Sequence, residues 1–165
     1  MDLEIDIDDC WPGTSDWEAL AARVANAAAQ VARELAQPRL AASLLFTSDA
    51  EVHALNREWR GKDKPTNVLS FPMLERTELL ALPTEGPPEL LGDIALAHET
   101  CAREAAEKGV TLDAHAAHLI VHGLLHLAGH DHETGADEAA AMEALEIKAL
   151  ALLGVADPYG DSQQA

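Results

Sequence analysis

The chain has 165 residues, 48% of them apolar, which suits one domain with a buried core and argues against disorder. Its 29 acidic residues against 11 basic ones give a net charge of −18, which argues against a protein that coats nucleic acid by bulk positive charge. No run of about 18 uncharged apolar residues occurs, the acidic start MDLEIDIDDCW lacks a basic and apolar leader pattern, and Cys10 and Cys101 have no CxxC partner. The expectation is a cytoplasmic protein with reduced thiols and no membrane association.

In chain order, Leu3, Ile5 and Ile7 alternate with acidic residues and predict a half-buried strand. Thr14 or Ser15 caps a long Ala-rich helix from about Trp17 to Leu35, which Pro38 ends. Leu40 to Thr47 reads as a second strand. Ser48, with Glu51 three residues on, forms a capping box for a helix ending near Trp59. RGKDKPT is a polar loop, and Asn67 to Phe71 is a short strand stopped by Pro72. Met73 to Leu90 holds Pro83, Gly86, Pro87 and Pro88 and reads as a long, poorly ordered loop. Leu91 to Ala97 is a fourth strand. Helices follow at about His98 to Lys108, Leu112 to Ala128 and Asp137 to Leu153. The fold class is α+β: a small mixed four-stranded sheet packed with about five helices. One domain spans 1–157, and 158–165 is a polar tail.

The densest chemistry lies in HGLLHLAGHDH, His122 to His132, which holds four of the eight histidines. Residues i and i+4 of a helix share a face with Cβ atoms roughly 5–6 Å apart, so His122 and His126 can grip one ion. Gly129 can supply the left-handed residue that ends the helix, and the turn brings His132 round as a third ligand. Three histidines leave a tetrahedral metal one open position, the pattern of a catalytic zinc. His115, His118, His122 and His126 fall within about 80° of arc on the same helix. His118 is the alternative third ligand. His115 is about 10 Å from His122 along the axis, too far to share its ion. Both otherwise support the site or pack the core. His130 should point away, and Asp131 and Glu133 can orient imidazoles or simply meet solvent.

The same histidine spacing marks the metzincin proteases, HExxHxxGxxH, but Gly123 stands where their glutamate base would be. A protease is therefore disfavoured. The basic residues are unevenly spread: Arg57, Arg60, Lys62 and Lys64 cluster around WRGKDKP.

With LNREWRGKDKPTNVLSFP (Leu55 to Pro72), LLGDIALA (Leu90 to Ala97), AHAAHLIVHGLLHLAGHDH (Ala114 to His132) and GVADPY (Gly154 to Tyr159) in view, the chain resembles the YbeY family. These are bacterial endoribonucleases and rRNA maturation factors. The resemblance covers most of the length. It implies a zinc-dependent, hydrolase-like α+β protein with one zinc per chain held by His122, His126 and His132. The arginine that the family needs for activity matches Arg60. The implied function is a single-strand-specific, metal-dependent endoribonuclease of the cytoplasm, acting on ribosomal RNA in small-subunit maturation and ribosome quality control. Small-subunit ribosomal proteins or assembly factors are the implied protein partners.

An open three-histidine site beside a basic loop suits phosphodiester cleavage. Arg60 would hold a phosphate oxygen through its planar fork of donors. Lys62 and Lys64 would grip neighbouring phosphates, or else belong to a solvated turn. The nucleophile is water or the ribose 2′-OH, and the ends left on the RNA distinguish the two. The rival readings are a zinc hydrolase of another kind and a ribosome assembly factor that acts by binding alone.

Overall fold

A computed structural model of the chain describes residues 1–130 and 135–159. The elements run β1 (Asp2–Ile7), α1 (Trp17–Val31), a 3₁₀ turn (Arg33–Ala36), β2 (Leu40–Thr47), α2 (Asp49–Arg60), β3 (Val68–Pro72), α3 (Arg76–Ala81), β4 (Glu89–Ala97), α4 (His98–Lys108), α5 (Leu112–Leu127) and α6 (Ala136–Leu152). The sheet order is β1-β2-β4-β3. β1 and β4 flank β2 in parallel, and β3 closes the other edge antiparallel to β4. The mixed four-stranded sheet is as expected, and α3 is the additional sixth helix.

Period-2 alternation divides the strands between two cores. Leu40, Leu44 and Phe46 of β2 and Ile94 and Leu96 of β4 face the main core. That face is covered by α1, α5 and α6 through Leu20, Val24, Ile120, Leu124, Met142 and Leu150. The intervening residues Ala95 and Ala97, with Leu69 of β3, face the opposite way and pack on Val52 of α2. The helix that carries the histidines, α5, is thus buried against the sheet with α1 and α6 beside it, and it is apolar on most of its surface.

Three local expectations change. The long first helix stops at Val31 and resumes as a 3₁₀ turn, and its cap is Asp16, whose carboxylate accepts the Ala19 N–H at 3.0 Å. Ser15 instead donates to Asp113 at 2.7 Å. The box at Ser48 is half formed: Ser48 Oγ accepts the Glu51 N–H, while Glu51 accepts from the Thr47 hydroxyl. The segment Met73 to Leu90 is not a structureless loop. It forms α3, where Glu78 accepts the Glu75 N–H at 3.0 Å, and β4 starts at Glu89. Between them Arg39 holds the backbone, donating to the carbonyls of Pro83 and Pro87 and to Glu89.

Candidate functional site

α5 is capped by Thr111, whose hydroxyl accepts the Ala114 N–H. Its four histidines lie on one side but meet four different surroundings. His115 Nε2 donates to Glu104 at 2.8 Å, and burial, partly offset by that carboxylate, pushes its pKa below 6.5. His118 donates from Nε2 to Glu146 Oε1 at 2.8 Å, with the Tyr159 hydroxyl 3.2 Å from the same nitrogen. The alternative third ligand therefore spends that nitrogen on α6. His122 donates from Nδ1 to Glu146 Oε2 at 3.1 Å, and His126 Nδ1 lies 2.9 Å from the hydroxyl of Ser70 on β3.

Both His122 and His126 thus engage outer partners through Nδ1 and would meet an ion through Nε2. A neutral imidazole with its Nδ1–H fixed is the form that ligates a borderline-soft ion such as zinc. Together they line a cleft of about 280 Å³ with Arg60, Lys62, Lys64 and Ser70. Arg60 is the last residue of α2, and Gly61, at φ 68°, turns the chain into the basic loop. Asn56 steadies that loop by donating to the Lys64 carbonyl at 2.9 Å. Asp63 pairs with His53 at 2.7 Å and lies near Arg57, so the one acidic side chain between the two lysines is held by α2. A cationic cleft is in this way cut into a strongly acidic chain.

Gly129 ends α5 at φ 95°, as its place in the sequence implies, and the His130 N–H reaches back to the Leu125 carbonyl. Arg76 of α3 donates to the Ala128 carbonyl at 2.7 Å and to Glu34 at 2.8 Å, placing a cation at the C-terminal end of the histidine helix. Burial raises the Glu34 pKa, but the bonds from Arg76 and His130 bring it below the ordinary carboxylate value. His130 pairs with Glu34 at 3.0 Å, away from the cleft. His132, Asp131 and Glu133 lie outside the described residues.

Among the described residues, the one group of three metal-capable side chains whose ligand atoms lie within 4.8 Å of one another is Cys10, His98 and Glu99. A metal could be held there, but the thiol resists. Burial first, then the bond to Asp8, push the Cys10 pKa up to about 11, so a metal would have to displace a firmly held proton. Glu99 is also engaged, accepting the Asp49 N–H at 3.1 Å.

Gly123 sits on the sheet side of α5. A Cβ there would come within 2.9 Å of Ile94 Cδ1. The position that carries a general base in metzincins is thus packed against β4, with no room for a carboxylate directed at the cleft.

Glu146 was not legible as a site residue. It is 1% exposed, inside the core stripe formed by Met142, Ala149 and Leu150. Burial acts to raise its pKa, yet the bonds donated by His118, His122 and Tyr159 outweigh it and bring the value down to about 2. Burial and the neighbouring Glu146 raise the Tyr159 phenol. An acidic residue at core spacing in MEALEIKALAL was the available signal for Glu146. Nothing in NVLSF marks Ser70.

The fold and the cleft define a class: small α+β proteins of hydrolase type, with histidines of a buried helix opening on a cationic mouth. The solution structure of TM1509 from Thermotoga maritima shares the fold, with a TM-score of 0.60 at 22% identity over 98% of this chain and 92% of that one. The family pattern described as Endoribonuclease YbeY matches residues 8–154. A protein named Endoribonuclease YbeY from Erythrobacter litoralis is 65% identical, covering 98% of this chain and 99% of its own. One of the same name from Novosphingobium aromaticivorans is 63% identical, covering 95% of each. The chain belongs to the YbeY family. No helix among the described residues is long and apolar enough to cross a membrane.

Proposed function

We propose that this protein is a metal-dependent, single-strand-specific endoribonuclease of the cytoplasm that acts on ribosomal RNA, in small-subunit maturation and ribosome quality control. Relatives that match nearly the whole chain are named endoribonucleases. The observation that carries the reading is one cleft shared by two helix histidines, an arginine and two lysines.

In this reading His122, His126 and His132 hold one zinc ion. Zinc, when bound, supplies Lewis acidity toward a phosphodiester. Arg60 binds phosphate oxygens through its planar fork and offsets charge that builds at phosphorus. Lys62 and Lys64 bind flanking phosphates and keep the strand in register over the cleft. With Gly123 packed on Ile94, no carboxylate base is available from that position, unlike in the metzincin arrangement. The net charge of −18 favours docking on basic small-subunit proteins or assembly factors that present the RNA, over unaided capture.

The deciding experiment is cleavage of a structured ribosomal RNA fragment by zinc-loaded wild type, Arg60→Ala and His126→Ala, all free of contaminating nuclease. Arg60→Ala should lose roughly 10²–10³ in rate with its metal content intact, the loss expected for a single preorganised donor. His126→Ala should lose both metal and cleavage. Equal cleavage by all three would overturn the assignment. Absence of cleavage in wild type would shift the reading to an assembly factor that acts by binding.

A further inference from the structure

We propose that Glu146, braced by Tyr159 and His118, positions His122, so that the turn after α6 sets how tightly the cleft holds its metal. The proposal rests on the reading above that His122 is a ligand.

Glu146 is a carboxylate in an apolar stripe, a placement that disfavours folding unless every lone pair is met. Among the described residues, three donors meet it. The Tyr159 hydroxyl at 2.6 Å and His118 Nε2 at 2.8 Å converge on Oε1. Among the described residues, His122 Nδ1 alone binds Oε2, at 3.1 Å. Two donors on one oxygen fix the plane of the carboxyl group, and the fixed plane directs the second oxygen at His122. That ring is then held in one orientation and one tautomer, with Nε2 as the atom offered to an ion. Neither Tyr159 nor His118 lines the cleft, so both act through Glu146.

The stretch GVADPY, which the cleft does not use, gains a role. Gly154, at φ 73°, reverses the chain, and the Val155 N–H bonds back to the Leu150 carbonyl. The Asp157 carboxylate then accepts the Tyr159 N–H at 2.8 Å, setting the second turn. The two turns return the tyrosine along α6 to a glutamate 13 positions earlier in sequence. Tyr159, placed in the polar tail by sequence, is half-buried through this contact.

Cobalt(II) is the probe, since its visible absorption reports ligand geometry independently of RNA cleavage. Affinity is measured by competition with a chelator, and folding by circular dichroism, for wild type, His122→Ala, Glu146→Gln and Tyr159→Phe. Glu146→Gln should bind cobalt roughly 10–100-fold more weakly and with an altered visible spectrum. Tyr159→Phe, which keeps the ring and removes one donor, should weaken binding roughly 2–10-fold. Should Glu146→Gln fail to fold, Tyr159→Phe decides alone. Wild-type affinity and spectrum in the folded variants overturn the proposal. A change in Glu146→Gln with none in Tyr159→Phe overturns only the part given to the turn. Wild-type cobalt binding by His122→Ala overturns the ligand assignment itself.

Discussion

His122 and His126 stand one turn apart on the same helix, yet their rings are held by opposite means. His122 bonds a buried carboxylate from α6, itself braced by two further donors. His126 Nδ1 bonds the neutral hydroxyl of Ser70 on the edge strand β3. A charge-assisted bond inside the core is stronger and more directional than a neutral one in a partly exposed cleft. At Nδ1, the bond to Glu146 holds its ring more firmly than the bond to Ser70 holds the other. The Nδ1 side of the site thus has a firmer half set by the packing of α6 and a softer half beside the substrate cleft.

Mutations can break that contrast or sharpen it. Removal of either imidazole should have the largest effect: His122→Ala and His126→Ala should both lose tight metal binding, measured by metal content after dialysis against a weak chelator. If only one does, the two halves are not one site. Gly123→Ala tests the helix that carries both rings. Crowding Ile94 costs about 1–3 kcal/mol, and the better helix propensity of alanine returns about 1 kcal/mol. A net loss of up to about 2 kcal/mol in urea denaturation is expected, with metal affinity lowered through both histidines. Ser70→Ala removes only a neutral bond, worth about 0.5–1.5 kcal/mol, so metal binding should weaken roughly 2–10-fold by chelator competition. A loss as large as that of Glu146→Gln would erase the contrast.

The smallest effect concerns His115, further up the same helix and outside the cleft. Its folded pKa lies below 6.5, chiefly through burial, so the unfolded chain takes up a proton that the folded chain resists. Stability should fall as pH drops through 6.5. Glu104, whose pKa is lowered because the bonds from Asn67 and His115 outweigh burial, adds a further loss as pH falls below 4.5. Urea midpoints at pH 7.5 and 5.5 should show a shallower decline in His115→Gln than in wild type.

The parts of the site that sequence made legible are local. The i, i+4 pair at His122 and His126 and the basic run from Arg60 to Lys64 follow from spacing alone, and the structure sets them around one cleft. Among the strands, β1 was legible from the alternation of Leu3, Ile5 and Ile7 with acidic residues, and β3 from its stop at Pro72. Ser70, Glu146 and Tyr159 were not, because each acquires its partner only when distant elements pack. α3 was hidden by the proline-rich stretch that follows it. Its Arg76, read as part of a loop, turns out to hold the end of the histidine helix.

The cleft's cations lie in a chain whose net charge is −18, with Asp63 held by His53. An incoming polyanion therefore meets attraction at one mouth and repulsion elsewhere. Added salt screens both, since the Debye length is about 10 Å at 0.1 M. Lost attraction at the lysines is offset by relief from the acidic hull. Strand capture by this protein should accordingly depend on ionic strength far less steeply than capture by a basic nuclease with the same number of phosphate contacts.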